Sequence, residues 1–428
     1  MAKISLIGAG SVTFARRLLQ DIVCVPELSD ATVSLMDTNP ERLALMSKYA
    51  NKLVRDTGTN IKIETTPGRR EALDGSNYVL TTIRVGDNYE RDIAIPLKYG
   101  VDQSVGDTVG PGGVFKALRT APVLMDICED IEDVAPDATL LNYTNPMAIA
   151  CWAMAEATSV PTIGLCHSVQ RTTADLADYI GVSPDRVKGW VAGINHLSWF
   201  LRFEVDGQDA YPQLFEAMEN PEIFSRDTVR FEVMKQFGYF VTESTRHMSE
   251  YTPYFRTNEE TIEDFNLNQI PQYLQQYTTR DDGHETQLLE DANTDKKLTA
   301  TRSEEYACRI IEAMESDRPT VINGNVPNEG LIDNLLNLSS VEVPILIDKL
   351  GFHPMAVGEL PGQLAALSRS NQAVQQLATQ AILDGDREAA FHAIALDPLT
   401  SAVLSLGEIR AMFDEMWTAH GTELAAYS

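Results

Sequence analysis

Three short segments carry side chains whose chemistry suits metal binding or proton transfer: NYTNPMA with Asn145, GLCHSVQ with Cys166 and His167, and AGINH with His196. A thiolate and an imidazole are good ligands for a divalent transition-metal ion. A buried cysteine is more often a small core residue, however, and Cys166 and His196 are too far apart in the chain to form a local metal motif. The pair predicts a metal site only if the fold brings the two side chains together.

Asn145 and Cys166 each follow a segment that is typical of a buried strand. The segments ATLLNYTNP and VPTIGLCHS both continue with a helix-like pattern. In an open α/β sheet, ligands bind outside the carboxyl ends of the strands. We therefore expect Asn145 and Cys166 at this edge, with Asn145 facing a substrate. An asparagine before proline is also a common helix N-cap, and both roles remain open.

KISLIGAGS near the N-terminus is a short apolar strand that ends in a glycine turn. Gly8 and Gly10 match the first two glycines of a dinucleotide-binding turn, in which the backbone approaches a pyrophosphate at a helix N-terminus. Thr13 stands where the third glycine is expected. Asp37 closes the second predicted strand, and a carboxylate there binds a ribose diol and repels a 2′-phosphate. This turn, which includes Ser11, predicts binding of NAD rather than NADP.

These motifs lie in a chain that alternates predicted strands and helices over its first half. One of the helices, NPERLALMSKYANKLVRD, should have Asn39 at its N-cap and Pro40 in its first turn. Such alternation predicts an α/β fold with a Rossmann-like, doubly wound parallel sheet. Beyond it, KGWVAGINHLSWFLRFEVDGQDA is typical of antiparallel strands with a hairpin turn at Asp206-Gly207, and the rest is mainly helical.

We therefore predict two domains. Residues 1–195 form the Rossmann-like NAD-binding domain. Residues 196–428 form a mixed α+β, largely helical domain that binds substrate and makes the contacts between subunits. The length of the chain fits this division, because 428 residues are too many for one compact core and indicate either two domains or one enlarged α/β unit.

Composition and charge disfavour several classes of partner. The chain has 34 basic and 62 acidic residues and a formal net charge of −28. This charge opposes binding to nucleic acid and to anionic membranes, and it fits an ordinary soluble enzyme better than adaptation to high salt. The five cysteines show no paired spacing, the N-terminus does not look like a signal peptide, and no apolar run is long enough to span a bilayer. We expect a cytoplasmic protein.

The chain resembles the family 4 glycoside hydrolases, which are NAD- and metal-dependent glycosidases. The resemblance extends over most of the chain and is carried by eight segments: GAGS, DTVGPGGVFKALRT, NYTNPMA, GLCHSVQ, AGINH, GYFVTESTRHMSEYTPYF, NGNVPNEGLIDNL and LDPLTSAVL. The α-galactosidases and α-galacturonidases are the most similar subgroup. This family is an exception to glycoside hydrolysis by two carboxylates.

The resemblance implies a mechanism that begins with oxidation of the sugar. In this family, NAD oxidises the C3 hydroxyl, a base removes the acidified C2 proton, and the aglycone leaves C1 by elimination. Water then adds and the hydride returns, so no net oxidation occurs. A divalent ion, usually Mn²⁺, binds the sugar oxygens as a Lewis acid.

The resemblance also implies roles for individual residues. Cys166 and His196 match the metal ligands, and Asn145 matches an asparagine that contacts the substrate. Tyr251 matches the base that removes the C2 proton, although Tyr254 is close enough to leave the register open. A nearby metal ion would lower the pKa of such a tyrosine from its usual value of about 10.

The acid that protonates the leaving group is a separate question. Phospho-sugar members of the family have an aspartate directly after the metal-binding cysteine, whereas this chain has His167. A histidine can act as a general acid near neutral pH, and the missing phospho-sugar pattern indicates an unphosphorylated substrate. Asp107 and Arg119 flank the GPGG turn and are candidates for substrate binding or for a structural ion pair. His247 and Glu250, which lie close to Tyr251 in the sequence, are weaker candidates for site residues.

We expect α-galactosides of the melibiose or raffinose type as substrates, followed by α-galacturonides and α-glucosides. A uronic acid would require a cation near C6, for which Arg119 and Arg246 are candidates. Two other functions remain open: a 2-hydroxy-acid dehydrogenase, which shares the nucleotide-binding fold, and a non-catalytic NAD-binding sensor. The resemblance further implies a homodimer or homotetramer.

Overall fold

The computed structural model describes residues 1–86, 90–103, 105–267, 283–316 and 318–427. Within these residues, twelve strands form one mixed sheet. In chain order the strands are β1 (Lys3–Ile7), β2 (Thr32–Met36), β3 (Lys62–Thr66), β4 (Tyr78–Thr81), β5 (Thr139–Asn142), β6 (Thr162–Gly164), β7 (Val187–Ile194), β8 (Leu197–Val205), β9 (Gln208–Asp209), β10 (Thr320–Pro327), β11 (Ser340–Asp348) and β12 (Gly351–Pro354). Their order across the sheet is β3-β2-β1-β4-β5-β6-β10-β11-β7-β8-β9, and β12 pairs with β11.

The first six strands are parallel and lie in the order β3-β2-β1-β4-β5-β6. This is the strand order of the doubly wound dinucleotide-binding fold. The helices of this half are α1 (Phe14–Val23), α2 (Pro40–Thr57), α3 (Arg69–Leu73), α4 (Ile95–Lys98), α5 (Gly110–Val134), α6 (Met147–Ala157) and α7 (Ser168–Tyr179). The predicted Rossmann-like α/β fold is confirmed.

The remaining strands are antiparallel and extend the same sheet, because β10 pairs with β6 and β11 pairs with β7. The sheet thus continues across residue 195, and the division into two domains there stays a prediction. The helices of this half are α8 (Tyr211–Met218), α9 (Pro221–Phe224), α10 (Thr228–Phe237), α11 (Thr245–Met248), α12 (Glu259–Asp264), α13 (283–293), α14 (Tyr306–Glu315), α15 (Gly362–Asp384), α16 (Arg387–Ala395), α17 (Pro398–Val403) and α18 (Leu406–His420).

Local sequence patterns account for several ends of these elements. Asn39 caps α2 by accepting hydrogen bonds from two backbone N–H groups of its first turn, and Pro40 is the first helical residue, as predicted. The predicted hairpin turn is also present. Asp206 and Gly207 join β8 to β9 with φ angles of 51° and 79°, and such positive φ angles are typical of tight hairpin turns.

The helices of the second half pack against α5 of the first half. Apolar residues of α15, α16 and α18 form one buried cluster with the N-terminal part of α5. The GPGG segment that opens α5 is therefore held in place by both halves of the chain. In the described part of the chain, no helix combines the length and the apolar character needed to cross a membrane.

Arg119 lies on α5 and contacts Asp92 and the C-terminal helix. Its guanidinium donates to both carboxylate oxygens of Asp92, at 2.6 and 3.1 Å, and Nε2 of His420 lies 3.1 Å from the same carboxylate. All three side chains are buried, and the His420 ring stacks on Phe115. The role of Arg119 in substrate binding stays a prediction, and this buried ion pair, which the sequence left as the alternative, counts against it.

Replacing Arg119 by methionine should destabilise the protein, because Asp92 would keep a buried charge without its main partner. We expect the free energy of unfolding to fall by about 3–5 kcal/mol, measured by urea unfolding. Arg410→Met is the control, since Arg410 pairs with Glu388 at the surface and should contribute less than about 1 kcal/mol. Unchanged stability combined with a higher KM for substrate would contradict this expectation and support the substrate-binding role of Arg119.

Candidate active site

Two cavities meet at the carboxyl edge of the parallel strands. The first, of about 830 Å³, contains the glycine turn after β1 and is called the glycine-turn cavity. The second, of about 750 Å³, contains Cys166, His167 and His196 and is called the cysteine cavity. Four residues line both cavities: Phe14, Asp107, Tyr143 and Asn145. A molecule bound in one cavity would therefore lie next to a molecule bound in the other.

The residues predicted for nucleotide binding all line the glycine-turn cavity: Gly8, Gly10, Ser11 and Asp37. Gly8 has a φ of 89°, and a Cβ there would lie 2.7 Å from the carbonyl oxygen of Thr82, so this turn requires glycine. The Asp37 carboxylate accepts hydrogen bonds from the backbone N–H groups of Gly10 (2.7 Å) and Asn39 (2.8 Å). These contacts fix an acidic group inside the cavity at the end of β2.

Cys166 and His196 meet in the cysteine cavity, where Sγ lies 3.3 Å from Nε2. Both residues are buried. Cys166 follows β6, and His196 lies in the two-residue turn between β7 and β8 with a φ of 64°. The fold therefore brings together the two residues that the sequence separates.

A single row of backbone pairs sets this contact. Gly164 of β6 pairs with Asn325 of β10, Asn325 pairs with Glu342 of β11, and Glu342 pairs with Gly193 of β7. Cys166 and His196 follow the two ends of this row by two and three positions. The distance between the thiol and the imidazole thus depends on strands that come from residues 320–348.

The electrostatic environment of His196 favours positive charge. Burial by itself opposes the charged form, but the Glu243 carboxylate and Cys166 raise the pKa of His196 to about 10. Burial would likewise raise the pKa of Glu243, but His196 and His247 lower that pKa below its usual value. Cys166, His196 and Glu243 have ligand atoms within 4.8 Å of one another and form a candidate metal site.

A series of hydrogen bonds links His196 to Tyr251. Nδ1 of His196 lies 3.2 Å from Nε2 of His247, and the same Nε2 lies 2.7 Å from Oγ1 of Thr108. Tyr251 donates its hydroxyl to Thr108 Oγ1 at 3.0 Å. Burial and the neighbouring His196 lower the pKa of His247 to about 4, so the His247 ring is neutral near pH 7.

Tyr251, and not Tyr254, lies beside the histidines. Tyr251 is buried with its ring centre 6.3 Å from that of His196, whereas Tyr254 is 49% exposed and packs against Phe237. Burial and the Glu243 carboxylate raise the pKa of Tyr251 well above its usual value. Its role as a base stays a prediction, and that role requires a nearby positive charge to lower the pKa.

His167 lines the cysteine cavity directly after Cys166. Its Nδ1 lies 3.9 Å from a carboxylate oxygen of Glu305, and burial together with Arg171 lowers the pKa of His167 to about 4. The imidazole is therefore neutral near pH 7, and a neutral imidazole is a poor acid. The role of His167 as leaving-group acid stays a prediction, and this environment counts against it.

Asn145 and Asp107 lie where the two cavities meet. Helix α6 begins after Pro146, which occupies the N-cap position, so Asn145 is not the cap. Asp107 accepts a hydrogen bond from Nζ of Lys116 at 3.1 Å. Burial opposes ionisation of Asp107, but Lys116 and His247 lower its pKa below the usual value. The junction therefore offers one amide and one charged carboxylate to a bound molecule.

Three cavity residues were not predicted from the sequence. Lys116 pairs with Asp107, Glu243 approaches His196, and Arg230 forms part of the wall of the cysteine cavity. Lys116 and Glu243 lie inside segments that carry the family resemblance. Their position in these segments is the sequence feature that could have identified them. Arg230 lies on α10 in a pattern that looks like that of any amphipathic helix.

Comparisons with known proteins agree with this architecture. The model for the family 4 glycosyl hydrolases matches residues 3–182, and the model for the C-terminal domain of the family 4 glycosyl hydrolases matches residues 191–400. The chain is 41% identical to an α-galactosidase from Bacillus subtilis (strain 168), over 100% of both chains. It is 37% identical to an α-galactosidase from Rhizobium meliloti (strain 1021), over 100% of this chain and 90% of that one.

A solved structure of a 6-phospho-α-glucosidase from gut microorganisms, in complex with NAD and Mn²⁺, has the same fold. That protein is 20% identical, with a TM-score of 0.83 over 99% of this chain and 98% of the other. The two family models cover most of the sequence, and the two α-galactosidases match it from end to end. The chain belongs to family 4 of the glycosyl hydrolases.

Proposed function

We propose that the protein hydrolyses α-galactosides with the help of bound NAD and a divalent cation such as Mn²⁺. The observation that carries this proposal is the meeting of Cys166 and His196 beside the glycine-turn cavity. A pair of potential metal ligands beside a dinucleotide-binding turn suits a reaction in which hydride transfer and proton removal occur on the same sugar. The two α-galactosidase relatives support the choice of sugar.

The glycine-turn cavity fits NAD. Gly8 and Gly10 leave the turn without side chains, and a Cβ at Gly10 would lie 2.7 Å from the Asp37 carboxylate. A carboxylate at the end of the second strand suits a ribose diol and disfavours a 2′-phosphate. We assign the binding of NAD to Gly8, Gly10, Ser11 and Asp37.

The cysteine cavity fits a divalent cation. Cys166 and His196 supply the sulfur and nitrogen donors, and the acidic groups around them attract positive charge. We assign these two residues as metal ligands. When bound, NAD accepts and returns a hydride and the cation acts as a Lewis acid toward the sugar oxygens.

The chain's own residues hold the sugar and move its protons. Asn145 and Asp107 contact the sugar at the junction of the two cavities, and Lys116 keeps Asp107 ionised. Tyr251 is the candidate that removes the proton from C2 of the sugar. It is buried, it is not among the residues that line the two cavities, and it contacts the cysteine cavity through His247. His167 remains the candidate for the leaving-group acid because it lines the cysteine cavity beside Cys166. Its lowered pKa does not favour this role.

The arginines in the wall of the cysteine cavity support an uncharged sugar. Four arginines line this wall, and three of them pair with carboxylates: Arg171 with Glu304, Arg226 with Asp178, and Arg230 with Asp175 and Asp227. The fourth is Arg246, which the sequence analysis named as a candidate cation for a uronic acid. A uronic acid would have to compete with these carboxylates for its counter-ion. A galactoside is therefore favoured over a galacturonide.

We also propose that the chain divides into two domains near residue 195. The regions matched by the two family models, 3–182 and 191–400, support a division close to this residue. A homodimer or homotetramer and a cytoplasmic location stay predictions that rest on the sequence.

Removing NAD or the cation should abolish hydrolysis of nitrophenyl α-galactoside, and adding both should restore it. Because the C2 proton is removed during turnover, the product formed in D₂O should carry deuterium at C2, as measured by NMR. Protein carried through the same stripping procedure and resupplied with both cofactors is the control. Full hydrolysis by protein stripped of NAD, or a product without deuterium, would contradict the mechanism.

Cys166→Ala should weaken Mn²⁺ binding and lower kcat/KM by roughly 100-fold or more, since even residues that only support metal ligands contribute about 10–100-fold. Peroxide should inactivate the wild-type enzyme in the same way, because an oxidised sulfur is no longer a thiolate ligand. Cys24→Ala is the matched control, since Cys24 is free and lies outside both cavities. Full activity after prolonged peroxide treatment would show that Cys166 is not a ligand.

The value of kcat/KM should be at least about tenfold higher for an α-galactoside than for the matching α-galacturonide, because one unbalanced charge in a binding site costs more than about 1.4 kcal/mol. Both substrates are assayed with the same leaving group, NAD and Mn²⁺. The opposite order would assign the enzyme to galacturonides and would mean that one of the paired arginines exchanges its carboxylate for the substrate.

A further inference from the structure

We propose that Glu243 is a third protein ligand of the divalent cation, together with Cys166 and His196. This inference rests on the proposed function, since it requires a cation in the cysteine cavity. It adds a carboxylate to the two ligands that the family resemblance implies.

The backbone delivers Glu243 to His196. Segment 240–242 pairs with the start of β8 through an isolated bridge and through backbone hydrogen bonds of 2.8 and 2.9 Å. β8 begins directly after His196, and Glu243 directly follows the paired segment. The two side chains therefore leave the same short antiparallel pairing at the same end, and this pairing keeps their backbones close together.

Glu243 and His196 both have left-handed backbone conformations, with φ angles of 76° and 64°. This region is uncommon for residues other than glycine and costs conformational energy. Glycine at either position would remove the cost. Strained residues of this kind cluster at functional sites, and here the strain points two potential ligands at one place.

Two of the three distances between the donor atoms match those between ligands of one cation, and all three atoms lie within 4.8 Å of one another. The Cys166 sulfur lies 3.3 Å and a Glu243 oxygen lies 3.4 Å from Nε2 of His196. Metal–ligand bonds of about 2.0–2.3 Å put neighbouring donors roughly 3.0–3.6 Å apart. Nε2 of His196 therefore has a thiol sulfur and a carboxylate oxygen at similar short distances, as three atoms that share one cation would have.

A carboxylate also matches the chemistry of the cation. Mn²⁺ favours oxygen ligands, whereas a cysteine and a histidine alone suit softer ions such as Zn²⁺. His247 lies beside both partners, with its Nε2 3.2 Å from Nδ1 of His196 and its Nδ1 3.8 Å from a Glu243 oxygen. Outer contacts of this kind orient metal ligands.

Glu243→Gln tests the proposal, because it keeps the shape of the side chain and removes the anionic ligand. Metal-stripped protein is titrated with Mn²⁺, and the free ion is measured by EPR. We expect the dissociation constant to rise at least about tenfold. Asp175→Asn removes a carboxylate from the wall of the same cavity and should change the constant less than about twofold. Equal constants for wild type and Glu243→Gln would overturn the proposal.

A second measurement separates a ligand from a charge that acts through space. At saturating Mn²⁺, water-proton relaxation reports the water molecules on the ion, and loss of a protein ligand should add water. Glu243→Gly is measured beside Glu243→Gln, because glycine adopts a φ of 76° without strain and so keeps the local fold. Unchanged relaxation in both variants would overturn the ligand role of Glu243 even if Mn²⁺ bound more weakly.

Failure of the proposed function gives a different result. Wild-type protein that does not bind Mn²⁺ at all would overturn both the metal-dependent function and the role of Glu243. Wild-type protein that binds Mn²⁺, with variants that bind it equally well, would overturn only the role of Glu243.

Discussion

The candidate site depends on the row of backbone pairs that joins the parallel and antiparallel halves of the sheet. Gly164 and Gly193 form the ends of this row, and both must lack a side chain. A Cβ at Gly164 would lie 2.6 Å from Met147 Sδ, and a Cβ at Gly193 would lie 2.5 Å from the carbonyl oxygen of Leu197. Because these glycines let the neighbouring atoms approach closely, the row sets the distance between the backbones of Cys166 and His196.

The same row of backbone pairs contains a buried carboxyl group. Glu342 lies in it and accepts a hydrogen bond from Ser198 at 2.6 Å, and burial raises the pKa of Glu342 to about 7. This carboxyl group is therefore partly neutral near pH 7, whereas Glu243 and Asp107 remain ionised. A buried carboxylate that stays ionised is costly unless positive charge or hydrogen-bond donors lie beside it. His196 is the group that the surrounding carboxylates favour in its charged form.

Features that depend on neighbouring residues could be predicted from the sequence, and features that depend on distant strands could not. The Asn39 cap, the Asp206-Gly207 turn and the parallel half of the sheet all follow from patterns within a few tens of residues. The contact between Cys166 and His196 was expected only through the family resemblance, because β10 and β11 create it. The contact of Arg119 with His420 could not be predicted for the same reason, since α18 lies near the other end of the chain.

Hydrogen bonds join residues 105–108 to residues 247–251, and together these two segments position residues of the proposed reaction. Glu250 accepts hydrogen bonds from the backbone N–H groups of residues 105 and 106, at 2.7 and 3.0 Å, and so holds the loop before α5. From that loop, Asp107 faces the junction of the cavities, and Thr108 contacts His247 and Tyr251. His247 and Glu250 were only weak candidates for site residues from the sequence. Their contacts with this loop could not be predicted, because the loop lies far from them in the chain. Because one loop holds both the substrate-facing carboxylate and the proposed base, a shift of that loop would displace both together.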